Sequence, residues 1–204
     1  FRCPSAGFPE NQYDITPANR PGQNLVPAFY LGCASGHLQD QNDQRYSSDE
    51  MVEGSMRKIP LGGADGVLFG RSKVRIKHVT DGLSNTVLVG EALHDVEAQY
   101  TVGAAAREHA FGDHKDHWYL GSDDIDVDKD LSECLGSTGV PINLRRGGVD
   151  PCAGNPANPD CQALQLSFSS AHPGTVNVVL CDGSVQTIHE GIDAQVWSDY
   201  GTRD

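Results

Sequence analysis

The stretch SFSSAHPGTVNVVLCDGSVQTI, residues 167–188, decides the fold of this chain. Residues 176–181 and 184–188 are rich in β-branched and apolar side chains, and Asp182-Gly183 separates them. Two residues of this type between strands are typical of a hairpin with a type I′ turn, in which both central residues take a positive φ. The stretch therefore predicts an antiparallel hairpin, and turn geometry is a sufficient role for Asp182 and Gly183.

Shorter apolar runs before the hairpin predict further strands. Residues 28–31 and 67–69 are expected to be short strands. Residues 86–90 are β-branched and apolar, so we expect a buried strand there that ends at Glu91. An acid at the end of a buried strand is costly unless it is paired, which makes Glu91 a candidate for a structural ion pair.

The predicted helical elements are few and short. Thr80 and Asp81 are helix N-cap types, so a helical turn is expected over 80–85, with Asp81-Gly82 as cap and turn. A short terminal helix is expected over 192–200. Since no helix of the length of a βαβ crossover is visible, we predict an α+β fold, mostly antiparallel β, with the hairpin at its heart and long loops.

Composition limits the class of protein. The chain has 204 residues, enough for one domain over 1–204, and its 23 Gly and 11 Pro favour short strands and ordered loops. No apolar stretch approaches the roughly 18 residues that a membrane helix needs. The net charge of −13 argues against a nucleic acid as partner and favours bound cations or solubility.

The cysteine count indicates an oxidising compartment. Six cysteines without a CxxC pair, scattered among polar segments, fit three disulfides, although the sequence does not select the pairing. Free, buried thiols are the alternative for some of them. Proximity along the chain favours the pairs Cys152–Cys161 and Cys3–Cys33, which would leave Cys134 and Cys181 as a long-range pair.

Several blocks of sequence, in order, resemble a known family. They are FRCPS at 1–5, VTDGLSNTVLVGE at 79–91, WYLGSDDID at 118–126, His172 followed after nine residues by Asp182-Gly183, and GTRD at 201–204. This pattern is similar to the planctomycete-type prepilin-like proteins with a C-terminal H-x9-DG motif, the domain of unknown function 1559. The resemblance spans nearly the whole chain and implies an extracytoplasmic protein with a pilin-like or pseudopilin-like globular head.

The resemblance also implies a feature that we do not find. Proteins of this family usually begin with a prepilin cleavage site and a long hydrophobic helix before the CPS block. Here FRCPS stands at residues 1–5. We therefore expect this chain to lack the N-terminal prepilin helix. No enzymatic activity is established for the family, so the resemblance implies a fold and a location more than a reaction.

His172 has two interpretations. It is either a metal ligand or general base, with Glu91 or Asp182 as partner, or a structural residue whose imidazole holds the chain before the hairpin. We favour the structural role, because no convincing nucleophile or metal set accompanies it. For Glu91 the predicted partners are Arg75, Lys77 and His172.

An acidic run next to three histidines is the other candidate site. Acids at alternate positions can direct several oxygens at one calcium ion, yet the EF-hand pattern is incomplete, so a solvated acidic loop stands beside calcium as the alternative. The spacing of His109, His114 and His117 is not that of a zinc enzyme. The acidic candidates are Asp124, Asp126, Asp128 and Asp130.

Three functions follow, in order of preference. The first is a non-enzymatic extracytoplasmic structural protein, located at the cell surface, secreted or periplasmic, whose partners are copies of itself or other envelope or filament subunits. The second is a module that binds a glycan or a protein through the 107–130 loop, with Trp118 and Tyr119 as a platform. The third is a metal-dependent hydrolase. Apart from calcium, no cofactor is expected.

Overall fold

The structure is a computed structural model that describes residues 3–4, 29–39, 58–59, 64–69, 72–93, 135–144 and 166–204. Within these ranges it contains seven strands, a 3₁₀ turn over Ile76–His78 and one short α-helix. None of the described helices is long and apolar enough to cross a membrane. The strands and the helix are β1 Tyr30–Ser35, β2 Leu38–Gln39, β3 Lys58–Ile59, β4 Val87–Glu91, β5 Leu135–Ser137, β6 Thr175–Leu180, β7 Val185–His189 and α1 Ala194–Asp199.

Five strands form one mixed sheet in the order β5-β1-β4-β6-β7. Three of its four pairings are antiparallel, and the β1–β5 pairing is parallel. The two-residue strands β2 and β3 pair separately, in parallel. The predicted α+β fold with mostly antiparallel strands and few short helices is therefore confirmed.

The predicted hairpin is present, but neither its position nor its turn is as expected. It is the β6–β7 pair, which lies at one edge of the sheet, whereas β4 lies at the centre. Of the two central residues that a type I′ turn requires, Gly183 alone has a positive φ, at 86°. The Gly183 N–H donates to the Leu180 carbonyl, and the Leu180 N–H donates to the Ser184 carbonyl, both at 2.9 Å. The connection is thus a three-residue loop, a type I turn followed by a glycine bulge.

The inner face of the sheet carries the core. Side chains on alternate residues of β1 and β6 point to this face and are buried, because successive side chains of a strand point to opposite sides. The ring of Phe168 lies against the sheet at Gly90, where an added Cβ would come within 2.5 Å of it. Glycine at 90 therefore permits the close packing of this ring on the sheet. The inner-face residues of the core include Leu31, Cys33, Val176, Val178, Leu180 and Ile188.

The terminal helix is confirmed and closes the core from the side. The Asp193 carboxylate caps α1 by accepting from the N–H groups of Gln195 and Val196, at 2.9 and 3.2 Å. Trp197 is 2% exposed and meets Phe168 edge to face, with ring centroids 6.0 Å apart. Its indole N–H donates to the Val140 carbonyl at 2.9 Å.

Two local expectations are corrected. Residues 67–69 are bent and do not form a strand. The 64–69 segment contacts β1 beyond Gly32, the last residue that pairs with β4, through the Gly66 and Leu68 N–H groups, which donate to the Ala34 and Cys33 carbonyls. The strand predicted over 28–31 begins at Tyr30 and continues to residue 35.

Candidate functional site

Glu91 ends β4 at a point where strand pairing also ends. Its main-chain carbonyl accepts from the Ser169 N–H at 2.9 Å, so that carbonyl is turned away from β6. The Glu91 carboxylate takes its place: Oε2 accepts from the Asn177 N–H at 2.8 Å, and Oε1 accepts from Asn177 Nδ2 at 3.3 Å. The side chain thus joins β4 to β6 beyond the last paired residues, Gly90 and Val178.

Three of the sequence blocks meet at this carboxylate. Cys3, from the first block, has its sulfur 4.0 Å from Glu91 Oε1. His172, the first residue of the H-x9-DG pattern, has Nε2 3.8 Å from the same oxygen. Glu91 itself ends the second block. We call Cys3, Tyr30, Glu91, His172 and Asn177 the Glu91 cluster.

The environment of the cluster is only partly shielded from water. Glu91 is 7% exposed, whereas the imidazole of His172 is 40% exposed. Partial burial raises the pKa of the Tyr30 hydroxyl, and the neighbouring Cys3 thiol and Glu91 carboxylate raise it further. Tyr30 therefore stays protonated at neutral pH, as a neutral neighbour of Cys3 and Glu91.

The hydrogen bonds of the cluster connect neighbouring strands of the sheet. Asn177 also accepts a hydrogen bond at 2.7 Å from Thr187 of β7, so the contacts of Glu91 extend across three strands. Of the three partners predicted for Glu91, His172 is the one beside it, while Arg75 and Lys77 are exposed on another segment. At 3.8 Å, the His172 contact is an ion pair whenever the imidazole is protonated, and it is longer than a hydrogen bond.

Two Asp-Gly pairs serve as turns. Asp182 Oδ1 accepts from both the N–H and the hydroxyl of Ser184, at 2.8 and 2.6 Å, and these two bonds lower the pKa of Asp182. The Asp81 carboxylate accepts from the Thr202 hydroxyl at 3.3 Å, near the C-terminal block. Gly82 has a φ of 101°, and its carbonyl accepts from the Asn85 N–H, which closes the predicted turn.

The described cysteines Cys3, Cys33 and Cys181 are thiols in this structure, so the predicted Cys3–Cys33 and Cys134–Cys181 pairs are absent from it. Cys3 lies beside Glu91, on the outer face with Tyr30, whereas Cys33 lies with Leu31 on the inner face. A sheet between two sulfur atoms prevents a bond. Burial raises the pKa of Cys33 to about 12, so its thiol is protonated and unreactive.

A second polar cluster, which the sequence analysis missed, lies where β1 ends. Asp65 Oδ1 accepts from the Ser35 hydroxyl at 2.5 Å and from the Gly36 N–H at 3.1 Å. Asp65 Oδ2 lies 2.6 Å from Nδ1 of His37, whose side chain is 4% exposed. Nδ1 makes no well-aligned hydrogen bond, so this contact is chiefly electrostatic. We call Ser35, Gly36, His37, Asp65 and Arg203 the Asp65 cluster.

The pKa of Asp65 reflects these partners. Burial raises it, but the contacts with His37, the Ser35 hydroxyl and the Gly36 N–H outweigh burial and leave the pKa below its ordinary value. The carboxylate is therefore ionised near neutral pH. It acts as the acceptor that ends β1, a role that needs charge but no reaction.

The last block of the sequence, GTRD, fixes the segment around Asp65. The Arg203 guanidinium donates to the carbonyls of Ala64 and Gly66, at 3.0 and 2.9 Å, and lies 5.9 Å from the centre of the Phe69 ring. The Arg203 N–H donates to the Asp65 carbonyl at 3.0 Å. The polar residues that follow the apolar run of β1 were the sequence signal for this cluster.

The remaining candidates cannot be placed. Trp118, Tyr119 and the three histidines of the 107–130 segment lie outside the described residues, as do Cys134, Cys152 and Cys161. Within the described ranges, no group of three or more His, Cys, Asp or Glu side chains is arranged to hold a metal ion. The predicted calcium ligands, also outside these ranges, are Asp124, Asp126, Asp128 and Asp130.

Comparison with known proteins gives a family without a function. No curated protein and no solved structure gives a significant match. A family profile, SBP_bac_10, matches residues 1–195 and is described as a protein of unknown function, DUF1559. Because the match covers nearly all of the chain, this chain belongs to the DUF1559 family.

Proposed function

We propose that this chain is a non-enzymatic, extracytoplasmic structural protein. In this proposal its β-rich head is pilin-like or pseudopilin-like, and it serves as a subunit of a surface filament or as an accessory subunit of a larger envelope complex. Its partners are then copies of itself or other envelope subunits. Membership of the DUF1559 family is consistent with this role and names no reaction that conflicts with it.

One observation carries the proposal. Both oxygens of Glu91, the buried acid where three sequence blocks meet, accept hydrogen bonds from Asn177 on the next strand. A carboxylate has about four acceptor positions, and the hydrogen bonds described for Glu91 bind one on each oxygen to Asn177 of its own fold. The acid thus joins two strands, which supports a structural role for it.

The C-terminal block supports the same interpretation. The Arg203 guanidinium donates to two main-chain carbonyls, and the Arg203 carbonyl accepts from the N–H groups of Thr80 and Asp81. The C-terminal block is thus held against residues 64–66 and 80–81 by hydrogen bonds of the Arg203 side chain and main chain. Such contacts stabilise one arrangement of the loops and leave the outer surface available to partners.

The test of this function is the location and the size of the native protein. Cells that produce the protein are divided into cytoplasmic, envelope and extracellular fractions, and the protein is then followed by crosslinking and size separation. We expect it outside the cytoplasm, in species larger than one chain. Recovery only as a cytoplasmic monomer, next to a cytoplasmic marker protein, would contradict the proposal.

Calcium bound by the acidic run belongs to the proposal as a loop stabiliser. Four carboxylates near one ion supply the oxygen ligands that calcium takes. We expect the midpoint of thermal unfolding to rise when calcium replaces a chelator, and replacement of Asp126 and Asp128 by Asn to remove that rise. An equal midpoint in calcium and in chelator would exclude calcium from the role.

A further inference from the structure

The chain is acidic overall, but one short segment is strongly basic. Residues 71–77, RSKVRIK, contain four of the 15 Lys and Arg residues, and no Asp or Glu occurs between Asp65 and Asp81. This segment lies outside both clusters described above, and none of the sequence blocks includes it. Its charge is thus opposite to that of a chain whose net charge is −13.

The structure presents this segment as an exposed ridge. Lys73, Arg75 and Lys77 are exposed, and Ile76 between them is 73% exposed, more than the other exposed large apolar side chains of the described chain. We call these four residues the basic ridge. Its cations are unpaired in the described part of the chain, where the ion pairs are those of His37 and His172.

The ridge is held in a defined shape. The His78 N–H donates to the Arg75 carbonyl at 2.7 Å, and the Val79 N–H donates to the Ile76 carbonyl at 3.1 Å. The Arg75 N–H donates to His78 Nδ1 at 3.1 Å. Thr80, just beyond, is bonded to the Arg203 carbonyl at 2.7 Å. Ile76 is therefore held outward by a turn that is anchored to the body of the protein.

This arrangement contributes little to the stability of the isolated chain. Three neighbouring cations without carboxylate partners repel one another, and an exposed isoleucine gains nothing until its surface is removed from water. The same arrangement is favourable in an interface, where a central apolar side chain is buried and surrounding charges select the partner.

We propose that the basic ridge docks on a carboxylate-rich surface of a second copy of this chain. Each copy carries 28 acidic against 15 basic residues, so a second copy supplies carboxylates in excess as partners for the ridge. Two ridges repel each other, so a two-fold contact of ridge with ridge is excluded and the contact joins two different surfaces. Such a contact closes into a two-fold dimer when the ridge of each copy meets the acidic surface of the other, and otherwise propagates into chains of subunits or closes into rings. The inference rests on the proposed structural function and assigns one surface to it.

Sedimentation velocity over a range of protein concentrations, at low ionic strength, tests the inference. The charge-reversal variant Arg75→Glu/Lys77→Glu is compared with Arg145→Glu/Arg146→Glu, which makes the same change in net charge at another pair of basic residues. We expect the unchanged protein to self-associate, the ridge variant to associate roughly tenfold more weakly or less still, and the control variant to lie close to the unchanged protein.

A neutral substitution separates the apolar contact from the charges. Ile76→Ser keeps the net charge, and because Ile76 is 73% exposed, the variant should unfold at the same temperature as the unchanged protein. We expect its self-association to be weaker by roughly threefold to tenfold. Equal association of Ile76→Ser and the unchanged protein would remove Ile76 from the interface and overturn the inference.

Other results would overturn docking of the basic ridge on a second copy. Equal weakening of the ridge and control variants, or a protein that is monomeric at every concentration, would overturn docking of the ridge on a second copy. Binding of the monomer to phosphatidylglycerol vesicles that depends on the ridge would overturn it as well, in favour of a membrane surface. If the ridge variant still enters native envelope assemblies, the ridge inference fails while the proposed structural function stands.

Discussion

The Glu91 cluster and the Asp65 cluster differ in which partner is shielded from water: the Glu91 side chain, 9% exposed, is more buried than that of Asp65, 22% exposed, and the order of the two histidines is the reverse. Each places a carboxylate at the end of a strand, where it accepts from a main-chain N–H group and lies near a histidine. In the first, the histidine is 3.8 Å away and 40% exposed. In the second, it is 2.6 Å away and 4% exposed. We therefore expect stability to depend more on the Asp65 cluster, where the histidine is buried and the contact is shorter, than on the Glu91 cluster with its clearer sequence signal.

The largest effect is expected at Asp65. Asp65→Ala leaves the Ser35 hydroxyl and the Gly36 N–H without their acceptor and removes the carboxylate beside the buried His37, so the free energy of unfolding should fall by about 3 kcal/mol. Urea unfolding followed by tryptophan fluorescence measures the loss. Asp182→Ala is the matched control, because that carboxylate is exposed and bonds only within its own turn. A loss of stability in Asp65→Ala no larger than in Asp182→Ala would contradict the large contribution expected of the Asp65 cluster.

A smaller loss is expected at Glu91. Glu91→Ala removes the acceptor of two hydrogen bonds from Asn177, which remains partly solvated, so the free energy of unfolding should fall by about 2 kcal/mol. Glu91→Gln keeps an oxygen for the Asn177 N–H and should lose roughly half as much. If Glu91→Ala is as stable as the unchanged protein, the strand-joining role that carries the proposed function is wrong.

The stabilisation by Asp65 is expected to depend on pH, because the pKa of Asp65 is lowered in the folded chain. A carboxyl whose folded pKa lies below its unfolded value stabilises the fold above the unfolded pKa, and this contribution is lost as the pH falls through the folded pKa. The ordinary value for Asp65 is 3.8, so its contribution is complete above that pH and disappears below it.

The measurement is the free energy of unfolding of the unchanged protein and of Asp65→Asn between roughly pH 2 and pH 6. The difference between the two curves should be largest above pH 4 and should shrink as acid is added. The pKa of Asp182 is also lowered, but that group is present in both proteins and cancels. If the difference in free energy of unfolding between the two proteins does not change with pH, Asp65 stabilises the fold through the shape of its side chain and not through its charge.

Local signals allowed part of this structure to be predicted. The hairpin, the strand that ends at Glu91 and the terminal helix each depend on a run of a few residues, and they were found. The turn type was not, because it depends on whether Leu180 and Ser184 bond across three residues or two. The sequence pattern around Asp182-Gly183 is the same in both cases.

The Asp65 cluster could not be predicted for a different reason. Ser35 and Asp65 are 30 residues apart, and Arg203 and Gly66 are 137 residues apart. No repeat or spacing connects them, since their meeting depends on how β1 and the C-terminal block pack. The parallel pairing of β1 with β5 escaped prediction on the same ground. Glu91 was found because its acid stands directly after an apolar strand.

The smallest effect is expected at His172, although it begins the most recognisable motif of the chain. Its imidazole is 40% exposed and lies 3.8 Å from Glu91, so water screens the pair from the side of the histidine, although the Glu91 side chain is only 9% exposed. His172→Ala should therefore lower the free energy of unfolding by about 0.5 kcal/mol or less. His37→Ala, at the buried counterpart, should cost several times more, because the contact with Asp65 is lost inside the fold. Unfolding of His172→Ala is measured alongside that of His37→Ala. A loss above about 1.5 kcal/mol for His172→Ala would show that the His172–Glu91 pair is as important to the stability of the head as the His37–Asp65 pair.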